Sequence, residues 1–108
     1  MRTRFFKSKN AAISGLRKNE KEYTIIDHVV RDFRRTKRME SHDHPTTEYV
    51  IFGKGGGLWG RMQLGKKYHD IILSRKVATV VVIPKWVWHS FHPLCNLSYT
   101  VLRKGPAQ

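Results

Sequence analysis

The chain has 108 residues, of which 21 are Lys or Arg and 8 are Asp or Glu, so its formal net charge is +13. This length fits one small domain and not two. No segment approaches the ~20 consecutive apolar residues of a membrane-spanning helix. Its one cysteine, Cys95, excludes an intrachain disulfide and a zinc site built from several thiolates. We therefore expect a domain of a reducing compartment, the cytoplasm.

The positive charge indicates an anionic ligand. A field of this sign attracts nucleic acid, phosphorylated small molecules or an anionic membrane surface. The basic residues are not confined to one tail, because a middle cluster lies between Arg31 and Arg38 and others follow along the second half. The sequence lacks the aromatic and basic motif of the common RNA-binding modules, so a small anionic molecule is favoured over nucleic acid.

The first 22 residues are predicted to form a basic N-terminal arm. Residues 1–19 contain no acidic side chain, and they lack the continuous apolar core of a secretory signal. Such a segment is typical of an organellar transit peptide, or of an arm that packs on the domain or contacts a partner. We expect the arm, with a short helical turn over residues 11–16.

Residues 23–108 are predicted to form an all-β barrel domain. Stretches rich in β-branched and aromatic residues alternate with glycine-rich or basic turns, and no helical periodicity of useful length appears. The predicted strands are residues 23–30, 47–52, 58–64, 68–74, 77–83, 87–91 and 97–102. Short strands separated by turns every eight to twelve residues are typical of a sandwich or small barrel.

The segment SHDHPTTEYVIFGKGGG, residues 41–57, concentrates side chains that bind metals. Residues two apart in a strand share a face, so His42 and His44 are expected to point the same way. Glu48 can join them after the bend at Pro45. If this face lies inside a barrel, three ligand-type side chains meet there. The second half offers a fourth, His89, in IPKWVWHSFHP, residues 83–93.

These two segments resemble the two motifs of the cupin superfamily. The segment from His42 to Gly55 has the spacing His-x-His-x3-Glu-x6-Gly of the first motif. The segment from Pro84 to His89 is similar to the second motif, Pro-x-Gly-x2-His. The chain departs from the motifs at four positions, none of which is a ligand: Thr36, Ala78 and Trp86 stand in place of glycine, and Pro93 in place of asparagine.

The resemblance implies a small single-domain cupin, that is, a double-stranded β-helix or jelly-roll barrel. It also implies four metal ligands, which are His42, His44, Glu48 and His89. Three imidazoles and one carboxylate suit a divalent transition metal (Fe, Mn, Ni, Cu or Zn), and they leave positions open for water or a substrate. Trp86 puts the turn of the second motif in doubt, since glycine often supplies a positive φ there.

The ending IPKWVWHSFHPLCNLSYTVLRKGP, residues 83–106, resembles the WbuC family of small cupin metalloproteins. This resemblance implies a sugar or sugar-nucleotide ligand linked to polysaccharide metabolism. If the protein is an enzyme, a metal-dependent isomerase, epimerase or dioxygenase is compatible with it. One alternative is a metal-independent sugar-nucleotide ketoisomerase of the cupin class. Another is a cupin that binds a ligand or nucleic acid without catalysis. Cupins commonly dimerise, which implies a homodimer.

Several further side chains are predicted to shape the pocket. Val50 and Phe52 share the strand face of Glu48, so they are expected inside the barrel, and Phe91 is expected there with His89. Arg61 would bind an anionic group if it faces inward, and it is otherwise an exposed arginine. The remaining histidines are expected to be solvent-facing or hydrogen-bonded in other roles: His28, His69 and His92.

Overall fold

The computed structural model describes residues 1–17, 22–35 and 45–104. Each predicted strand is confirmed with bounds that differ by two residues at most, and the helical turn near residue 11 is a short helix. No helix in these ranges is long and apolar enough to cross a membrane. The elements are β1 (Arg2–Phe6), α1 (Lys9–Leu16), β2 (Tyr23–Val30), β3 (Glu48–Phe52), β4 (Gly57–Leu64), β5 (Lys67–Leu73), β6 (Ala78–Ile83), β7 (His89–Pro93) and β8 (Leu97–Lys104).

The strands form two antiparallel sheets whose inner faces enclose the main core. The larger sheet has the order β1-β6-β3-β8-β2, and the smaller has the order β5-β4-β7. The core between them includes Val50 and Phe52 from β3, Met62 from β4 and Phe91 from β7. Strand β3 lies between β6 and β8, so its inward side chains are at the centre of the larger sheet.

A second core lies on the outer face of the larger sheet, beneath α1. It contains Ala12 of the helix, Ile51, Val80 and Leu102. Strand β6 is therefore covered on both faces, and all six of its residues are buried. This double burial explains why its sequence, ATVVVI, is a continuous apolar run and not an alternation of polar and apolar residues.

The N-terminal segment packs on its own chain. Strand β1 is an edge strand that pairs with β6, with Arg2 opposite Val82 and Phe6 opposite Ala78. Helix α1 begins at a Ser8 cap, whose hydroxyl accepts a hydrogen bond from the Ala11 amide at 3.1 Å. The sequence did not predict β1.

Trp86 has a positive φ, a backbone conformation that glycine adopts far more readily than other residues. Its φ is 62°, and among the described residues it alone combines a side chain with a positive φ. The Val87 amide donates to the Pro84 carbonyl at 3.3 Å, as in a type II turn, which requires a positive φ at its third residue. The turn geometry is therefore kept without glycine, at a cost in backbone strain.

Replacing Trp86 by glycine should stabilise the protein. The Trp86 side chain is 63% exposed, so few contacts are lost, and relief of the left-handed strain should raise the free energy of unfolding by about 1 kcal/mol. Urea denaturation measures the change. Trp88→Gly is the control, because Trp88 lies in the same loop without a positive φ, and its loss should lower stability. A destabilised Trp86→Gly protein would show that the indole makes contacts that outweigh the strain.

Candidate functional site

Glu48 places a carboxylate inside the barrel. It is the first residue of β3 and is only 4% exposed. Its neighbours across the sheet are Ile83 on β6 and Arg103 on β8. The strand alternation that points Val50 and Phe52 into the core also points Glu48 inward, as predicted. A carboxylate buried at such a position requires charged or hydrogen-bonding partners, since burial without them is costly.

His89, the first residue of β7, faces Glu48 from the opposite sheet. Its Nδ1 lies 2.9 Å from the Val87 carbonyl oxygen. A carbonyl can only accept, so Nδ1 carries a proton, and in the neutral imidazole Nε2 has a lone pair directed toward Glu48. Nε2 lies 3.6 Å from Glu48 Oε2. The two predicted ligands that the structure describes therefore converge, although they are 41 positions apart in the sequence.

The separation of 3.6 Å suits two ligands of one metal ion better than a direct hydrogen bond. It exceeds the usual range of hydrogen-bond lengths. Two donor atoms each about 2.1 Å from a common ion would be 3.6 Å apart at an angle of roughly 120°. The Nδ1 contact with a backbone carbonyl is also the arrangement that orients metal-binding histidines. This pair therefore fits the donor chemistry of a divalent transition metal.

Arg103 is a functional residue that the sequence analysis missed. Its Nη1 lies 3.8 Å from Glu48 Oε1, and its side chain is 19% exposed. The guanidinium compensates part of the carboxylate charge on the side away from His89. The one available signal was strand alternation, which places Arg103 on the same face of β8 as Tyr99 and Val101. Its pairing with Glu48 depends on the register of β3 and β8, which the sequence does not show.

His28 also faces the interior, where the sequence analysis did not expect it. Its ring stacks on that of Tyr99, with 4.8 Å between centroids and 15° between planes. Desolvation lowers the pKa of His28, against the opposing effects of the Asp27 and Glu48 charges. Burial likewise raises the pKa of Tyr99 to about 12. Both side chains are therefore neutral at pH 7, next to a buried carboxylate.

Aromatic side chains fill the barrel beside this polar group. Phe52, Phe91 and Tyr99 form a cluster with centroid distances of 5.7, 5.7 and 5.2 Å. Val50 is buried in the same core. Because these side chains occupy the middle of the barrel, a ligand of the Glu48 and His89 pair would have to bind toward the end where β3 and β7 begin.

Arg61 lies outside the barrel and does not line its interior. Gly60 and Met62 are its buried neighbours on β4, so alternation directs Arg61 outward. Its Nε donates to Asp70 Oδ1 at 3.1 Å, and both side chains are about half exposed. The alternative left open by the sequence, an exposed arginine, is the one observed. Arg61 instead borders a shallow outer depression with His92, which is also exposed.

His42 and His44, the other two predicted ligands, lie outside the described residues. Within residues 1–17, 22–35 and 45–104, no group of three or more His, Cys, Asp or Glu side chains is placed to hold a metal ion. The structure thus describes half of the predicted ligand set, Glu48 and His89. The four-ligand site stays a prediction.

Comparison with known proteins identifies the fold. No protein-family model matches the chain, and no curated protein matches its sequence. One solved structure is similar, the WlaRB TDP-quinovose 3,4-ketoisomerase from Campylobacter jejuni, with 18% identity and a TM-score of 0.51. The match covers 79% of this chain and 64% of that one, so this chain spans less than two thirds of its neighbour. The fold is that of a small, all-β, cupin-like barrel. The comparison does not test the narrower WbuC resemblance.

The pKa of His28 gives a direct test of the interior arrangement. In chelator-treated protein, an NMR titration of the His28 ring should give a pKa below that of the urea-unfolded chain, about 6.5. Glu48→Gln should lower the pKa further, because the Glu48 charge favours the imidazolium.

Asp70→Asn serves as the control, since Asp70 pairs with Arg61 on the outer face. It should leave the His28 pKa unchanged. A His28 pKa at or above the unfolded value would contradict the burial of this ring. No response to Glu48→Gln would show that Glu48 is not close to it.

Proposed function

We propose that this protein is a metal-binding small cupin that takes a small anionic ligand, a sugar or a sugar nucleotide, in its barrel. The observation that carries the proposal is the pair formed by Glu48 and His89. Their donor atoms converge at a spacing suited to one shared ion, and a backbone carbonyl holds the imidazole in the tautomer that can bind it.

In this proposal His42 and His44 complete the ligand set. Three imidazoles and a carboxylate select Fe, Mn, Ni, Cu or Zn in their divalent states over Mg or Ca. When bound, the ion would supply Lewis-acid polarisation of a ligand oxygen. The protein side chains have separate tasks. Val87 orients His89, Arg103 balances the Glu48 charge, and the aromatic cluster excludes water from one side of the site.

The proposed ligand class is supported by charge and by the structural neighbour. The net charge of +13 favours anions at every approach to the barrel. The neighbour is named for a reaction on a TDP-sugar. A WbuC-like role in polysaccharide metabolism, in the cytoplasm and as a homodimer, belongs to this proposal. Within it, isomerase, epimerase and dioxygenase activities remain open, as does binding of a ligand or nucleic acid without catalysis.

A second candidate is a metal-independent ketoisomerase acting on a sugar nucleotide. The name of the neighbour favours it. In such a reaction the carbon that bears the hydroxyl loses its proton while the carbonyl oxygen gains one, which gives an enediol. The original hydroxyl then loses its proton to become the new carbonyl, and a proton adds to the former carbonyl carbon. A neutral imidazole can accept the first proton and deliver the second. His89 and His28 both lie inside the barrel, and Glu48 would stabilise the imidazolium formed at His89.

Metal content tests the first proposal. Protein purified anaerobically and analysed by plasma mass spectrometry should carry about one transition-metal ion per chain, the stoichiometry of a single site. His89→Gln should lose most of it, since Nε2 is a ligand. His92→Gln is the matched control, because His92 lies on the same strand with its side chain exposed, and it should keep its metal. Equal metal content in both variants would refute ligation by His89.

Activity in the absence of metal separates the two candidates. A keto-sugar nucleotide is incubated with the protein before and after complete metal removal, and NMR follows the carbonyl position. The metal-binding proposal predicts that any turnover is lost on removal and returns when the metal is restored. Turnover that is unchanged in metal-free protein, and that falls in His89→Gln, would favour the ketoisomerase.

A further inference from the structure

A second cavity lies on the outer face of the larger sheet, apart from the barrel interior. It has a volume of about 430 Å³. It lies between the end of α1, the turn before β7, and the end of the sheet where β2 and β3 begin and β8 ends. This volume is within the range of small-molecule sites in proteins. Its walls include Tyr23, Tyr49 and Leu102, side chains that belong to the outer core beneath the helix.

The cavity concentrates positive charge. Its described lining includes four cations and no acidic residue: Arg17, Lys85, Arg103 and Lys104. These cations come from three separate segments of the chain, the end of α1, the β6–β7 turn and strand β8. This charge would attract an anion, although the part contributed by Arg103 is already opposed by Glu48. We name this site the basic cavity.

The basic cavity also offers the geometry that phosphate groups require. The Arg17 guanidinium lies over the Tyr23 ring, 4.5 Å from its centroid, which restricts its orientation. A guanidinium held in this way can present its fork of N–H donors to phosphate oxygens. Thr46 and Thr47 also line the cavity. A phosphate in the cavity would meet donors from several directions.

We propose that the basic cavity is a binding site for the phosphate groups of a small molecule. A concave volume of this size encloses a mono- or diphosphate, whereas an extended nucleic acid would need an open track. The proposal does not depend on a metal in the barrel. Arg103 borders both sites, because it lines the basic cavity and also contacts Glu48. Arg103 is therefore a residue through which an anion in the cavity could affect the surroundings of the buried carboxylate.

Titration calorimetry with inorganic pyrophosphate and with thymidine diphosphate tests the proposal. Lys85→Glu reverses one charge in the cavity, and Lys76→Glu makes the same change in net charge at the exposed β5–β6 turn. Loss of a charge-assisted contact should weaken binding at least about tenfold in Lys85→Glu. Lys76→Glu should stay within about twofold of the original protein, since only the general field changes.

Arg17→Gln, on a different element, guards against a folding defect in the first variant, and circular dichroism confirms that each protein is folded. Arg17→Gln should also weaken the binding of both ligands. Equal affinity for pyrophosphate and thymidine diphosphate would identify phosphate as the recognised group, and tighter nucleotide binding would add a contact to the nucleoside. Both results support the site.

If Lys85→Glu and Lys76→Glu weakened phosphate binding equally, the proposal would be overturned. Binding would then depend on the net charge of the protein and not on this cavity. The proposal would also be overturned if neither pyrophosphate nor thymidine diphosphate bound to the protein. Metal content measured on the same samples keeps the two proposals distinct. A metal-free protein that binds pyrophosphate would contradict the metal site alone, and a metal-loaded protein without phosphate binding would contradict the basic cavity alone.

Discussion

The burial of the Glu48 carboxylate is the constraint on which the rest of the site depends. A carboxylate between two β-sheets loses most of its hydration, and that loss must be offset by nearby charge. The described part of the chain supplies Arg103 on one side and His89 on the other, at 3.8 and 3.6 Å. Neither contact is short. A cation between Glu48 and His89 would add to this compensation, and the 3.6 Å spacing of their donor atoms is the reason for proposing a metal site there.

Much of the fold followed from local patterns in the sequence. The predicted strands after residue 22 depend on β-branched runs and glycine turns, and Gly57 and Gly65 do adopt the positive φ angles that such turns require. Period-two alternation also placed Glu48 inside the barrel. Strand β1 was not predicted, because four of its five residues are exposed and its only strong signal is pairing with β6, more than 70 positions away.

The parts of the site that the sequence did not predict depend on the register between strands and on which side chains of a strand are buried. Arg103 reaches Glu48 because β8 pairs with β3 in one particular register. His28 lies on the edge strand β2, where both Asp27 and His28 are polar, and alternation alone does not say which of them faces the core. The structure turns Asp27 outward and stacks His28 on Tyr99. At Trp86 the sequence left the turn geometry open, because glycine was expected there. The structure shows the turn with its positive φ at a tryptophan.

The positive charge takes on a more specific meaning in the folded chain. Composition alone indicated an attraction for anions without a location. The fold gathers Arg17, Lys85 and Lys104 from distant segments around one cavity, and it places Arg103 between that cavity and the barrel interior. Two sites that border the same residue need not act independently. In this view the chain pairs a buried centre for chemistry or coordination with an outer site for phosphate.

The most direct test of the account is a crystal structure of the metal-loaded protein, with diffraction data collected at the absorption edge of the metal. The account predicts one anomalous peak in the barrel, about 2.0–2.2 Å from both Glu48 Oε2 and His89 Nε2. A loaded crystal with no peak in the barrel, or with a peak whose ligands include neither residue, would contradict it.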